Sequence, residues 1–583
     1  MQTERQLIFE PTLTHKFEEE IMGKNRKDLT RRDFLELAAA GAAGSLALTI
    51  GGPSALTAAP RRGGTVTCGM SFLIQSPDPQ RRTGTWAKQD SALCWEGLLD
   101  TISLGERFKI IEEKGPDAIP AVKPMLADAY DIEKNGSRYV FHLKRGVKFH
   151  NGKELGSDDV KWSWERIKDP AIRSSSRKIL TSYLKSIETP DQYTVVANLT
   201  QPYAAFLVAN AWINTVILPK DCIPKGKIFG ESKDFKPDRV APPGTGPFEM
   251  VEFQQKKQAV FKAFKDYRVP ELPYLDKIIY KVISKDQPRT MALRAGNLDY
   301  AYGVEPRYFA EAFKGKKLYE PFQKDGLEFY PRLGQSVLTI YLNSHPTKGD
   351  SPFKDLLVRQ ALNLCIDRKK LANTLYGPLG HPKAQGFHQQ ESMWGFDDIK
   401  FPEPDIPRAK ELLKEAGYPN GLDVEFKITP TWGRNDFMAQ IVQQMAKAAG
   451  FRIKITPLVG LQYWANLRKS TFQMFVFTLD DDDPMGKHFG YMHTDPGKPY
   501  NGFAPVTGIK DPIMDKLLDE MAAEVNVQKR RAKFKEVVLR MNEQVYLIPY
   551  AAAIGSSGWT TKLKNFKPWN YAWPEQAFRE AWI

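Results

Sequence analysis

The chain has 583 residues, of which 42% are hydrophobic and 26% charged, a composition ordinary for globular domains. A formal net charge of +14 comes from Lys and Arg that are scattered along the chain, and no nucleic-acid-binding motif accompanies them. We therefore expect no nucleic-acid partner and a solvated basic surface, with attraction to an anionic membrane or cell wall as the alternative. No apolar stretch beyond residue 59 is long enough to cross a bilayer.

A segment near the N terminus has the arrangement of a twin-arginine export signal. Arg31 and Arg32 precede a weakly apolar run, Leu37 to Ile50, and a Gly/Pro/Ser break follows. The run is too short for a membrane span, and its glycines disfavour a buried Ala/Gly helix. We expect the twin-arginine translocase to export the folded protein to a periplasm, with cleavage near Ala59 and no lipid anchor.

The chain contains four cysteines: Cys68, Cys94, Cys222 and Cys365. An oxidising compartment permits disulfides, and four cysteines allow three pairings, which the sequence leaves open. The absence of C-x-x-C argues against a zinc ribbon or a thioredoxin-like motif. Cys365 lies in a helix-like run, so we expect it to be buried as a small hydrophobic residue.

The first part of the exported chain reads as strand, loop and helix. Residues 63–70 are β-prone, residues 76–84 have loop composition, and residues 91–100 place apolar side chains at helical spacing. Residues 137–149 alternate apolar and polar, which predicts strands. A turn at Asn151-Gly152 follows, and Ser157, with the two aspartates after it, is expected to cap a helix that starts near Val160.

The stretch PPGTGPF, residues 242–248, resembles a phosphate-binding loop only superficially. It lacks the Lys-Ser/Thr pair that follows the glycines of such loops. We therefore predict a rigid turn that leads into a strand beginning at Phe248.

The second half shows clearer helix and strand patterns. Residues 351–377 predict two helices, the second capped by Asp367 and ended at Gly377, and residues 405–417 predict another helix bracketed by Asp405 and Gly417. Residues 422–429, 440–450 and 451–458 read as strand, helix and strand, which implies a parallel, right-handed crossover. A further strand, residues 472–479, runs into Asp480.

This topology predicts a ligand site, because open α/β sheets bind ligands outside the carboxyl ends of their parallel strands. Two such ends carry Thr429, Trp432, Thr478 and Asp480, which offer hydroxyls, an aromatic wall and a carboxylate. This mixture suits a polar or cationic organic ligand. Alternatively, Trp432 is a core aromatic and the aspartates after Asp480 belong to a solvated loop.

Ordered segments along nearly the whole exported chain resemble the family 5 extracellular solute-binding proteins, the receptors of peptide, nickel and related ABC importers. The matching stretches are CWEGLLD (94–100), KPMLADAYDIEKNGSRYVFHLKRGVKFHNGKELGSDDVKWSWERI (123–167), PPGTGPF (242–248), RTMALRAGNLD (289–299), FKDLLVRQALNLCIDRKKL (353–371) and AKELLKEAGYPNG (409–421).

The resemblance implies an α/β, bilobal periplasmic-binding-protein fold (type II, cluster C) with an extra small α+β domain. The expected divisions are 1–59 for the N-terminal region with the signal, 60–104, 241–334 and 549–583 for lobe I, 105–240 for the small domain, and 335–548 for lobe II. Two connecting strands would act as hinges, and the lobes would close around the ligand. The resemblance further implies a monomer without catalysis or cofactor that captures a small peptide or amine-bearing solute for the permease subunits of an ABC importer.

The resemblance also assigns ligand contacts, residue by residue. Asp480 falls where peptide-binding relatives pair an aspartate with the substrate's α-ammonium, and Thr83 falls where dipeptide receptors have a ligand-contacting threonine. Thr429 stands where dipeptide receptors have the arginine that holds the substrate carboxylate, and Arg434 is near but not at that position. This departure argues against strict dipeptide specificity and leaves a longer peptide or another amine-bearing solute open.

Three alternatives remain. A nickel- or haem-type chelate would use histidines such as His381, His388, His488 or His493, but these lack the spacing of a metal site, so we expect surface or capping positions. A secreted hydrolase is disfavoured because G-x-S-x-G and H-E-x-x-H are absent, and GSSGWT (555–560) lacks the nucleophile-elbow spacing. A periplasmic chaperone-like binder would show weak affinity for many apolar peptides.

Overall fold

The computed structural model describes most of the chain from residue 60 onward. The described ranges are 60–71, 76–81, 92–115, 122–174, 176–211, 215–317, 320–345, 350–381, 384–385, 388–389, 396, 398–429, 435–459, 462–463, 465–466, 469–480, 492–495, 508–568 and 574–583. The predicted export signal and the predicted site residues Thr83, Trp432 and Arg434 lie outside them. No helix within these ranges has the length and apolar character that a membrane span requires.

Strands and helices alternate along the described chain. The strands are β1 Thr65–Met70, β2 Leu99–Asp100, β3 Lys123–Pro124, β4 Ala127–Glu133, β5 Arg138–Leu143, β6 Leu184–Asp191, β7 Thr194–Leu199, β8 Phe248–Gln254, β9 Gln258–Ala263, β10 Lys277–Val282, β11 Tyr300–Ala301, β12 Phe322–Lys324, β13 Leu327–Leu342, β14 Gly380–His381, β15 Ala384–Gln385, β16 His388–Gln389, β17 Leu422–Ile428, β18 Phe451–Pro457, β19 Met474–Asp480 and β20 Leu547–Thr560. The α-helices are α1 Leu104–Lys114, α2 Ser157–Lys168, α3 Arg177–Tyr183, α4 Ala205–Asn210, α5 Asp286–Arg294, α6 Pro306–Phe313, α7 Leu356–Leu364, α8 Arg368–Tyr376, α9 Ile406–Glu415, α10 Asn435–Lys447, α11 Pro512–Ala523 and α12 Val527–Gln544. Short 3₁₀ turns lie at Lys134–Gly136, Pro170–Ile172, Pro352–Lys354, Gly377–Leu379 and Pro574–Arg579.

One large mixed sheet runs through the described chain, in the order β18-β17-β19-β13-β20-β11-β1-β10-β9-β8, with β12 beside β13 and β14 beside β20. The long strands β13 and β20 lie at its middle and pair antiparallel. Their register shifts between Leu333 and Val337, and again between Leu338 and Thr339. A separate antiparallel sheet has the order β4-β5-β7-β6.

The predicted strand–helix–strand unit of the second half is confirmed. β17 and β18 pair in parallel with α10 between them, and alternate residues of β17 are buried: Leu422, Val424, Phe426 and Ile428. Helix α10 begins at Asn435, five residues earlier than predicted, because the buried apolar face already starts at Met438 and Ala439.

Aspartates cap the predicted helices as expected. The carboxylate of Asp367 accepts from Lys370 N at 2.8 Å, and that of Asp405 accepts from Arg408 N at 2.9 Å. Helix α8 ends at Gly377, whose positive φ of 58° a glycine adopts readily.

Two predictions in the first half need correction. Helix α2 begins at Ser157, three residues before Val160, with Gly156 as N-cap, and Asp159 accepts from Gly156 N at 2.9 Å. The helix predicted for residues 91–100 is wrong beyond Cys94, since residues 95–97 are irregular and β2 pairs with β3. Tertiary hydrogen bonds replace the helical ones here, because Gly246 N donates to Cys94 O at 2.9 Å and Trp95 Nε1 donates to Pro242 O at 3.0 Å.

The turn predicted for PPGTGPF is confirmed, and β8 begins at Phe248. Its glycines are needed for close approach. A Cβ on Gly244 would lie 1.9 Å from Cys94 O, and one on Gly246 would lie 2.5 Å from Leu93 O.

The four cysteines all lie in the described ranges, and no disulfide joins any of them there. Cys68, Cys94 and Cys365 are buried, and Cys222 is half-buried. The predicted burial of Cys365 is confirmed: its thiol donates to Ala361 O at 3.2 Å, and burial raises its pKa to about 12.

Candidate ligand-binding site

The carboxyl ends of β17 and β19 lie at the same edge of the large sheet. The two strands pair in parallel through Phe426 with Met474 and through Lys427 with Phe475. Thr429 follows β17 directly and is buried, while Thr478 and Asp480 belong to the last three residues of β19. The backbone positions of three predicted site residues therefore meet at one edge, as the topology rule requires. Their contact with a ligand stays a prediction.

The strand β19 pairs with β13, one of the two long strands at the middle of the sheet. Asp480 lies opposite Ser336, and Thr478 lies opposite Leu338. Ser336 falls inside the segment where β13 shifts its register against β20. An irregularity of this kind bends a strand and re-aims the residues next to it, and such features are frequent beside binding sites.

Aromatic packing fixes the strand ends beneath this edge. The ring of Tyr463 stacks on Phe475 with centroids 4.4 Å apart, and its hydroxyl donates to Val476 O. Burial raises the pKa of Tyr463, so its hydroxyl stays protonated. Leu458 N donates to Ile428 O at 2.8 Å beyond the paired part of β17. The backbone that carries Thr429 and Asp480 thus rests on a packed, hydrogen-bonded base.

Asn435 is a candidate contact that the sequence reasoning missed. It is the first residue of α10, just after the carboxyl end of β17, and it is fully buried. Both its amide oxygen and its amide nitrogen lack a hydrogen-bond partner in the described part of the protein. An unsatisfied buried amide is costly, and functional sites are among the places where such groups are kept. The available signal was an asparagine at a helix start at this sheet edge.

The loop that leads to Thr83 is pinned from several sides. Asp78 is fully buried and forms a 2.5 Å ion pair with Arg166 of α2, and it accepts from Phe229 N at 3.0 Å. Gln80 donates to Val216 O at 3.0 Å. Thr83 itself lies outside the described residues, so its predicted role stays a prediction, but the chain approaching it is rigidly held.

The histidines considered for a chelate ligand take different places. His381 and His388 lie in the short strands β14 and β16, and His488 lies outside the described residues. Of the two positions expected for His493, surface or capping, it does not take the surface one, because it is 3% exposed. The acidic helix α11 covers it, with carboxylate oxygens of Asp515 and Asp519 at 3.7 and 3.4 Å from its ring nitrogens.

His493 does act locally as a capping group, since its Nδ1 accepts from Asp495 N at 3.0 Å. No group of three or more His, Cys, Asp or Glu side chains placed to hold a metal ion occurs within the described ranges.

The family assignment follows from comparison with known proteins. The profile described as "Bacterial extracellular solute-binding proteins, family 5 Middle" matches residues 121–501, well over half of the chain. The chain belongs to this family. The profile match therefore confirms the family resemblance found in the sequence of this solute-binding protein.

Individual relatives are similar at moderate identity. The solute-binding protein is 26% identical over 483 residues to "Heme-binding protein A" of Haemophilus influenzae, covering 77% of this chain and 83% of the relative. It is 27% identical over 350 residues to "Glutathione-binding protein GsiB" of Escherichia coli O1:K1, covering 59% of this chain and 62% of the relative. The second alignment therefore spans less than two thirds of that relative's length.

A solved structure supports the fold. The "ABC transporter-associated periplasmic binding protein DppA from Helicobacter pylori in complex with peptide STSA" matches with a TM-score of 0.70 at 23% identity, covering 90% of this chain and 98% of that one. The predicted fold class, the α/β bilobal type II periplasmic-binding-protein fold with a small α+β domain, is confirmed.

Proposed function

We propose that this solute-binding protein is the receptor of an ABC importer and captures a peptide or a similar amine-bearing solute. Membership of family 5 and the likeness to a peptide-bound, ABC transporter-associated protein support this role. The similarity to a glutathione-binding protein, whose named ligand is a peptide with a free amino group, points to the same ligand class. In this proposal the protein binds without catalysis, acts as a monomer, and hands its solute to the permease subunits.

The position of Asp480 carries the proposal. Its backbone ends β19 opposite Ser336 of β13, one of the two long strands at the middle of the sheet. A carboxylate that becomes enclosed with a ligand needs a cationic partner, and an ammonium group of a solute is such a partner. Thr83, Thr429, Trp432, Arg434, Thr478 and the newly found Asn435 are the further proposed contacts.

The predicted lobe boundaries, 334/335 and 548/549, fall within β13 and β20, the strands that we propose as hinges. Closure of the lobes would be driven by the extra contacts that a ligand makes only in the closed form. The permease would then recognise that closed form. The domain divisions given by the sequence are retained as part of this proposal.

A threonine at position 429 favours solutes other than simple dipeptides. A buried hydroxyl cannot neutralise a carboxylate as an arginine does. A longer peptide held by strand-like backbone hydrogen bonds fits this site better.

The second candidate is a haem- or nickel-type chelate, and the 26% identity to "Heme-binding protein A" favours it. It would be delivered to the same class of transporter. Haem added to the purified protein would then give a saturable absorbance change, which a peptide-specific receptor would lack.

Small-angle X-ray scattering tests the proposed function. Mass spectrometry of what co-purifies with the exported protein identifies the solute, and that solute is then added to protein stripped by partial unfolding and refolding. The proposal predicts a smaller radius of gyration with ligand. A profile unaltered at saturating ligand would contradict capture by closure.

A further inference from the structure

The loops beside the four-stranded sheet β4–β7 contact the last turn of α11 and the residues that follow it. Ala204 N donates to Ala522 O at 2.9 Å, and both alanines are buried. A Cβ placed on Gly136, which has φ of +86°, would lie 2.4 Å from Cγ1 of Val525. We call these four residues, Gly136, Ala204, Ala522 and Val525, the seam.

The seam joins two regions that are far apart in sequence. Gly136 and Ala204 flank the strands of the small α+β domain, and Tyr203 N donates to Gly136 O at 3.1 Å, which ties the two loops together. Ala522 and Val525 belong to the stretch assigned to lobe II. Apolar side chains of both regions form one buried cluster, which contains Tyr139 and Phe206 from the small domain and Leu518 and Met521 from α11.

The small domain is attached to lobe I in a different way. His150 Nε2 donates to Gly246 O at 3.0 Å, and its Nδ1 accepts from Gly244 N at 3.1 Å. Arg166 forms the buried ion pair with Asp78 described above. Separating such buried polar groups would leave them unpaired, so this attachment is expected to stay intact during any motion.

The seam differs from this attachment in that its opening separates no ion pair, although the apolar side chains shared by the two regions would be exposed. It consists of van der Waals contacts and of one amide hydrogen bond, whose donor and acceptor can both bond to water after separation. We propose that the seam is a latch between the small domain and lobe II, which favours the closed form and separates when the lobes open. This proposal rests on the proposed function, because it assumes that the lobes move. The strength of the latch would set the fraction of ligand-free protein that is closed, and hence the apparent affinity for any solute.

A glycine substitution with a matched control tests the latch. Gly136→Ala introduces a methyl group that collides with Val525, whereas Gly152→Ala has nearly the same φ, +83°, and meets nothing within 4 Å. The two variants share the backbone strain of an alanine at positive φ and differ in the collision. Small-angle scattering of the ligand-free full chain should show a larger radius of gyration for Gly136→Ala and the wild-type value for Gly152→Ala.

A second substitution makes room for the methyl group. In Gly136→Ala/Val525→Ala the nearest remaining atom of residue 525 is its Cβ at 3.8 Å, an ordinary contact, so the wild-type radius should return. If Gly136→Ala does not fold, Val525→Ser replaces it, because it weakens the apolar contact without a collision and should also enlarge the protein. An unchanged radius in the folded variant, or no restoration in the double variant, would overturn the latch.

These measurements need no ligand and so separate the two proposals. If Gly136→Ala enlarges the ligand-free protein but no solute makes the wild type contract, the latch proposal is supported and the proposed solute capture is rejected.

Discussion

Asp480 of β19 lies opposite Ser336 of β13, within the stretch where β13 shifts its register against β20. The last residue of one strand therefore meets the irregular step of the strand that crosses the middle of the sheet. Thr429, which follows the parallel neighbour β17, lies at the same edge. We propose this end of the sheet as the place of solute recognition, and two of the predictions below test that proposal.

Asn435→Leu should stabilise the ligand-free protein and weaken solute binding. The substitution removes an unpartnered buried amide, which costs about 1–3 kcal/mol, while keeping a side chain of similar shape. We expect the free energy of unfolding in urea to rise by about 1 kcal/mol. Calorimetry should show weaker affinity for the co-purified solute.

Asn343→Leu is the matched control. Asn343 is also fully buried, but its amide donates to Ser470 O and Phe472 O and accepts from His345 N. Losing three hydrogen bonds should lower the free energy of unfolding by about 3 kcal/mol. Destabilisation by Asn435→Leu with unchanged affinity would show that Asn435 has only a structural role.

His150 should make the stability pH-dependent below neutrality. Burial lowers the pKa of His150 from 6.5 to about 4, and the hydrogen bond that its ring donates to Gly246 O opposes this shift only in part. The unfolded chain therefore binds more protons between pH 6.5 and 4, and the free energy of unfolding falls as the pH falls through that window. At about 1.4 kcal/mol per pKa unit, the loss approaches about 3 kcal/mol.

His150→Gln isolates this effect. The amide of glutamine can donate to Gly246 O and accept from Gly244 N, as the imidazole does, but it does not titrate. Burial raises the pKa of Asp100 to about 6, which has the opposite effect on stability between its ordinary value of 3.8 and pH 6, but this contribution is the same in both proteins. Urea unfolding at a series of pH values should show that the steeper loss of wild-type stability below pH 6.5 is absent in the variant. Parallel curves would refute the assignment.

Export should depend on the arginine pair. Replacing Arg31 and Arg32 by lysine keeps the charge but removes the twin-arginine motif. We expect the precursor to stay in the cytoplasm, as seen by cell fractionation and immunoblotting. Lys24→Arg with Lys27→Arg is the control, and it should export normally. Normal export of the lysine variant would contradict the twin-arginine route.

The sequence correctly predicted those strands and helix caps whose local pattern agrees with their tertiary packing. The alternation of β17 and the aspartate caps at Asp367 and Asp405 are examples, because each depends on residues within one turn or one strand. The parallel crossover from β17 to β18 then followed from strand–helix–strand order and located the edge at Thr429.

Sequence prediction was wrong, or missed a feature, where contacts with residues distant in the chain determine the local conformation or burial. Residues 95–100 have helical spacing, but hydrogen bonds from the Gly244–Gly246 turn and to Pro242 hold this stretch in another conformation. The burial of His493 under α11 and the unpartnered amide of Asn435 likewise depend on contacts that no local pattern contains.

The most direct test of the central claim is calorimetry on Asp480→Asn with the co-purified amine-bearing solute. The substitution keeps the size of the side chain but removes its charge, so a charge-assisted bond to an ammonium should weaken by at least about 1.5 kcal/mol. Asp423→Asn, at the amino end of β17 and largely exposed, is the control and should bind as the wild type does. Weakened binding by Asp480→Asn alone is the predicted result, and equal affinity of all three proteins would contradict recognition at this sheet edge.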